Sequence, residues 1–236
     1  MVTRCMTQLM DVPPGLNGVV AADTAIGAVD GDRGFFHYGS HDATMLARSR
    51  SFEEVWFLIR EGRLPSHTEA GEFRAEVASL RLLPTELIAI IEVAARQDAS
   101  MLSKLRSVLS VASGILGLRP LIDIDDPTRR IQTLRLSALV PSILAALHRD
   151  GQGLDPVESD RSLGHAADYL HQTTGMVPTP VAARAVEQYM ILTIDHGFNA
   201  STFTARVVAS TGADPADAVC AALGSLERAP EWVRGE

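Results

Sequence analysis

Along most of the chain, apolar residues recur every three or four positions, the period of helices that each bury one stripe. The clearest case follows Ser51-Phe52-Glu53-Glu54, where Phe52, Val55, Trp56 and Ile59 share a face. Ser51 and Glu54 have the spacing of a capping box, in which the hydroxyl accepts from the N3 amide and the carboxylate reaches back to the cap amide. Gly62 and Pro65 then end the helix. A second helix is predicted from about Glu69 to Leu80, and a third from Pro84 to about Ala95. A fourth carries Leu102, Leu105, Val108, Leu109 and Ala112 and stops at Gly114. Three later helices open on a cap residue followed by proline, whose missing N–H costs nothing in the first turn. They run from Asp126-Pro127 to about Arg149, from Thr179-Pro180 to Asp195, and from Asp214-Pro215 to Leu226. Pro141 falls inside the first of these and predicts a kink. Helices from about Asp160 to Thr174, closed by Gly175, and from about Ala200 to Ser210 bring the count to nine or ten. No βαβ pattern or internal repeat is present.

The first forty residues break this period. Gly18 to Ile26 is short-period and β-branched, Asp30-Gly31 is a tight-turn signal, and Phe35, Phe36 and Tyr38 follow it. This predicts a two-stranded hairpin over about 18–38. A lone hairpin is marginal in water, so it must pack on the helices.

Composition narrows the function classes. The 236 residues are 46% hydrophobic, 21% charged and only 5% aromatic, so the core must come from Leu, Ile, Val, Ala and Met. The formal net charge is −8, and no basic face points to nucleic acid. Cys5 and Cys220 lie far apart without metal-ligand spacing, so neither a zinc site nor a disulfide framework is expected. Lys104 is the single lysine. The N-terminus lacks the apolar run of a signal peptide, and no run of 18 apolar residues predicts a membrane span. A soluble, cytoplasmic protein is expected.

Common catalytic motifs are absent: there is no P-loop, GxGxxG, GxSxG or HExxH. His165 and His171, six apart on one helix, do not share a face and read as structural. His148 closes a helix, where a cation suits the dipole. The segment Asp195-His196-Gly197-Phe198-Asn199-Ala200-Ser201 stands out, because one helix ends at His196-Gly197 and another begins with Asn199 or Ser201 as cap. The plain reading is a C-terminal imidazole, a C′ glycine and a new N-cap. The other reading is an anion site built from an imidazole, an amide and free helix N–H groups.

In order and spacing, a series of blocks resembles the citrate synthase family. They are Gly15-Leu16-Asn17-Gly18-Val19-Val20, Val29-Asp30-Gly31-Asp32-Arg33-Gly34, Tyr38-Gly39, Ser51-Phe52-Glu53-Glu54-Val55, Leu64-Pro65 and, most strongly, Asp195 to Val208. The resemblance spans about 15–226 and implies a mainly α fold: a citrate synthase-like large helical domain with a small N-terminal β-hairpin and the small domain missing. Residues 1–14 would be a tail, 15–226 the incomplete large domain and 227–236 a divergent tail. It further implies condensation of acetyl-CoA with oxaloacetate to citrate and CoA, at the entry of the tricarboxylic acid cycle. No cofactor is implied, acetyl-CoA being a substrate, and a homodimer through the large-domain helices is. In the family an Asp removes a methyl proton while two His groups stabilise the enol and polarise the oxaloacetate carbonyl. By the same resemblance His196 contacts oxaloacetate, and Asn199 lies in its pocket.

Departures from the family pattern matter. Thr193 stands where the family often has a His, and Ala99-Ser100-Met101 where it often has His-Pro-Met. After Leu226 the family continues with Gly-Pro-Leu-His-Gly-Gly; here Glu231 stands where the first catalytic His is expected. No catalytic residue is therefore assigned in this chain, and it is expected to be inactive or severely impaired. The bases encoding Glu227 to Trp232, if GC-rich and read one position later, can spell Ser-Gly-Pro-Leu-Asn-Gly. A reading-frame shift after Leu226 is one expectation; a native short paralogue is the other. A 2-methylcitrate synthase using propionyl-CoA and a non-catalytic dimerisation or regulatory paralogue are the alternative functions.

Overall fold

The computed structural model describes residues 22–195 and 197–226. Near its start, β1 (Gly27–Asp30) pairs antiparallel with β2 (Phe35–Tyr38), and β3 (His41–Asp42) adds to the other side of β2. Gly27 faces Tyr38 and Asp30 faces Phe35. The expected two-stranded hairpin is thus a three-stranded sheet, its third strand two residues long and too short to show a period; the hairpin residues 18–21 lie outside the described ones. A Cβ at Gly27 would stand 2.3 Å from the His37 carbonyl oxygen, so glycine is what lets β1 approach β2 here.

Ten α-helices are described. Asp42 caps α1 (Ala43–Ser49), a helix not expected from the hydrophobic pattern, by accepting from the Thr44 and Met45 amides at 2.7 and 3.1 Å. The predicted capping box opens α2 (Phe52–Glu61), and Gly62 ends it at φ +71°. A second box, Ser66 with Glu69, opens α3 (His67–Leu80) two residues before the predicted start. Next come α4 (Thr85–Ala95) and α5 (Met101–Leu116). The latter runs through Gly114, because the residue that turns left-handed and caps it is Gly117 at φ +63°. Asp125, one residue earlier than expected, caps α6 (Asp126–Gly151), which holds Pro141 in its interior. Gly164 is the N-cap of α7 (His165–Thr174), so residues 160–164 are loop rather than helix. The series ends with α8 (Pro180–Thr193), α9 (Ala200–Ser210) and α10 (Pro215–Leu226).

Three apolar clusters hold these elements. The largest joins α4, α5, α6 and α10 through Leu87, Ile91, Leu109, Leu139, Ile143 and Ala216. A second joins the sheet, α1, α2 and α8 through Tyr38, Leu46, Phe52, Val55, Leu58 and Ile191. In the third, Phe73 and Val77 of α3 meet Leu134 and Ala138 of α6. Helix α6 therefore serves two clusters and is apolar on more than one side. Among the described residues, Met101–Asp123 and Asp126–Gly151 are long and apolar enough to cross a membrane by length and composition. Here α5, the first part of the former segment, and α6 belong to the largest cluster, burying Leu105, Val108 and Leu109, and Leu136, Leu139 and Ile143.

Candidate functional site

The junction between α8 and α9 is positioned first by its incoming helix. Arg184 donates to the carbonyls of Arg50 at 2.9 Å and Ala47 at 2.5 Å, and Gln188 donates to Ala47 O at 3.1 Å. These carbonyls lie at the end of α1, where no helical N–H remains to pair with them. Glu187 meanwhile accepts from the Phe52 amide at 3.0 Å, one of the orphan donors at the start of α2, and pairs with Arg184. So α8 is clasped to the α1–α2 corner by groups that the corner needs. At its other end, the Tyr38 hydroxyl donates to the Ile191 carbonyl at 2.7 Å in a buried site.

The chain then turns. Asp195 accepts from the Gly197 amide at 3.2 Å, and Gly197 takes φ +92°. The Gly197 carbonyl accepts from the Asn199 amide at 2.9 Å. Asn199 Oδ1 caps α9, accepting from the Thr202 amide at 2.8 Å and the Ser201 hydroxyl at 2.7 Å. Phe198 packs edge-on against Phe203 at 5.6 Å, and the Arg206 guanidinium lies 5.5 Å from the Phe198 ring centre while donating to Asp23 O at 2.6 Å. A cation over a ring face is a modest attraction that also fixes orientation.

Of the residues singled out from sequence, Asn199 is at the junction, with its side-chain oxygen engaged as a helix cap. His196 and Glu231 lie outside the described residues. His165 is buried, stacked on Phe52 at 5.3 Å and edge-on to Trp56 at 5.4 Å, as a structural residue would be. Lys104 lines a cavity of about 420 Å³ between α4 and α5 but donates to Ala95 O at 2.7 Å, closing the end of α4. A second cavity, about 470 Å³, runs along the flank of α9 and is lined by Thr202, Ala205 and Arg206 with Thr24 and Ile26. Among the described residues no cluster of three His, Cys, Asp or Glu could hold a metal ion. Tyr38, Arg184 and Arg206 had no sequence signal for these roles, since each partner is far away along the chain.

Comparison with known proteins bears on this junction. The family described as "Citrate synthase, C-terminal domain" matches residues 15–229. A citrate synthase of Haloferax volcanii is 38% identical over 213 residues, covering 90% of this chain and 56% of that protein. A 2-methylcitrate synthase of Mycobacterium tuberculosis is 36% identical over 226 residues, covering 92% and 54%. Among solved structures, the citrate synthase of Pyrobaculum aerophilum superposes with a TM-score of 0.80 at 29% identity, covering 94% of this chain and 57% of that one. The chain spans little more than half the length of these relatives.

Proposed function

The chain belongs to the citrate synthase family, and from that premise we propose that its α8–α9 junction is part of an oxaloacetate site for condensation with an acyl-CoA. The observation that carries this reading is the junction itself. A left-handed glycine and a capped helix N-terminus follow His196 in the chain, and α8 before them is anchored at both ends. A helix N-terminus offers amide donors and a positive dipole end to a carboxylate. In this reading His196 binds and orients oxaloacetate, and Asn199 fixes the start of α9 so that its amides face the anion. The acyl donor is acetyl-CoA. The 36% identity to a 2-methylcitrate synthase supports propionyl-CoA as the second candidate.

Neither His196 nor Asn199 is suited to removing the methyl proton, and a dianion calls for several charge-assisted bonds. A polypeptide of these 236 residues is accordingly proposed to bind oxaloacetate only weakly and without useful turnover. Residues acting as one catalytic unit lose orders of magnitude when any member is absent. It is also proposed to be a homodimer through its helices, supported by the exposed apolar side chains Ile88 and Val93 on α4 and Met101 and Val111 on α5.

Titration calorimetry of the purified chain with oxaloacetate, alongside His196→Ala, tests the site. Binding that His196→Ala weakens about tenfold, roughly 1.4 kcal/mol, is expected; equal affinities would refute the assignment. A CoA-release assay with acetyl-CoA and propionyl-CoA tests turnover, and clear activity would refute the inactivity.

A further inference from the structure

We propose that Tyr38 is a positioning residue for the α8–α9 junction, working with Val29 so that the small sheet sets where α8 ends. Helix α8 stops at Thr193, so the Ile191 carbonyl has no N–H from a following helical turn. The Tyr38 hydroxyl fills that place, donating at 2.7 Å from the end of β2. In a continued helix the amide that donates to Ile191 O would be that of Asp195. The hydroxyl thus takes the place of that i→i+4 donor, whose residue directly precedes His196 in the chain. Burial pushes the phenol up to about 12, against the lowering by the Asp195 amide and with a raising contribution from the Asp195 carboxylate, so it stays a donor across the working pH range.

The ring itself cannot drift. Tyr38 is 1% exposed, packed in the cluster with Leu46, Phe52 and Ile191, and edge-on to Phe36 at 5.9 Å. It lies opposite Gly27, the residue whose missing Cβ lets β1 close on β2. Val29, two residues along β1, brings its Cγ2 within 3.5 Å of where a Cβ on Gly197 would be. One sheet therefore reaches the junction at two points: it bonds the last turn of α8 through Tyr38, and Val29 stands beside the turn glycine. Neither residue carries chemistry for the proposed condensation; both act by placing the segment that does. Only the ligand-binding arm of the test below rests on the oxaloacetate reading.

The experiment is amide hydrogen exchange on the full chain, comparing wild type, Tyr38→Phe and, as a control, Tyr189→Phe at an exposed tyrosine of α8. Tyr38→Phe should speed exchange by about tenfold across Asp195 to Asn199 while α5 is unchanged, because opening becomes local rather than global. Tyr189→Phe should change neither. Unchanged exchange at the junction, or an equal rise everywhere, overturns the proposal. Should Tyr38→Phe fail to fold, Val29→Ala at a half-exposed site gives the same readout, and a junction left as protected as in wild type overturns it. A second arm measures the oxaloacetate dissociation constant, expected to rise about tenfold in Tyr38→Phe with kept global stability. If wild type binds no oxaloacetate, the functional reading falls, while exchange still decides the role of Tyr38.

Discussion

The guanidinium of Arg81, at the end of α3, lies 3.3 Å from the carboxylate of Asp168 in α7, and the two side chains are 2% and 0% exposed. Each ion has further partners, although Arg81 Nε, the atom nearest Asp168, makes no hydrogen bond. Arg81 donates to the carbonyls of Asp160 and Leu163 at 3.2 and 3.0 Å. Asp168 accepts from the Asp160 amide at 2.7 Å, and from the Ser159 hydroxyl and the Gln172 amide at 2.8 Å each. Gln172 passes the network on to Ser142 in α6. Burial holds the Arg81 pKa below its ordinary value, with the Asp168 charge opposing that. The pair thus fixes the loop before α7 and ties α3 to α7.

Breaking the pair from one side leaves a buried charge without its partner, which costs far more than the net worth of the pair. Asp168→Ala should destabilise the chain by about 3–5 kcal/mol in urea unfolding. The double change Arg81→Met with Asp168→Leu should cost clearly less than Asp168→Ala alone, because it removes the orphaned charge. A loss below about 1 kcal/mol for Asp168→Ala would mean that Arg81 finds water on its removal.

His165 gives the fold a specific pH dependence. Burial, and behind it the Arg81 charge, depress its pKa from 6.5 to about 3. Below pH 6.5 the unfolded chain takes up a proton that the folded chain refuses, so stability falls as the pH drops from about 6.5 towards 3. The loss approaches about 1.4 kcal/mol per pH unit, or about 2 kcal/mol by pH 5. Carboxylates held low, such as Glu69 at about 2, lose their contribution only in more acid solution. Urea midpoints at pH 7, 6 and 5 should therefore fall in wild type and stay nearly level in His165→Gln. Parallel slopes in the two proteins would show that His165 is not the group.

What the sequence made legible is local. Ser51 caps α2 through Glu54, three residues away, and Gly62, Gly175 and Asn199 cap as their residue types suggest. Helix α1 and strand β3 were not legible, because seven and two residues carry too little period. Helix α6 reads poorly as amphipathic because Leu134 and Ala138 serve one cluster while Leu136 and Leu139 serve another. The anchors of the site join residues far apart in sequence: Tyr38 reaches Ile191, and Glu187 reaches the Phe52 amide. No spacing rule connects such pairs. Only the mainly α fold, on which the hydrophobic period and the family blocks agreed, places them near one another.

Gly27 tests whether the sheet is under steric constraint. A methyl group there would stand 2.3 Å from the His37 carbonyl oxygen, a backbone atom that cannot step aside alone. Gly27→Ala should cost about 1–3 kcal/mol, as overpacking does, and displace β1 from β2. At Gly31, in the turn between the strands, an added methyl would meet nothing within 4 Å, and φ is below zero. Gly31→Ala should therefore change stability by no more than about 0.5 kcal/mol. Thermal melts of the two variants decide this, and equal shifts would remove the steric account.

Asn199 separates capping from ligand binding. Its oxygen caps α9 through the Thr202 amide, and an aspartate there keeps such an acceptor. Asn199→Asp should thus leave stability within about 0.5 kcal/mol or raise it slightly, since a negative charge suits a helix N-terminus. Asn199→Ala, which removes the cap, should cost about 1 kcal/mol. Oxaloacetate should rank the same variants differently. The Asp carboxylate repels a dianion at that helix start, so affinity should fall at least about tenfold in Asn199→Asp, while Asn199→Ala loses less. An Asp variant that binds oxaloacetate as tightly as the Asn protein would make residue 199 a cap and nothing more, and would move the anion away from the start of α9.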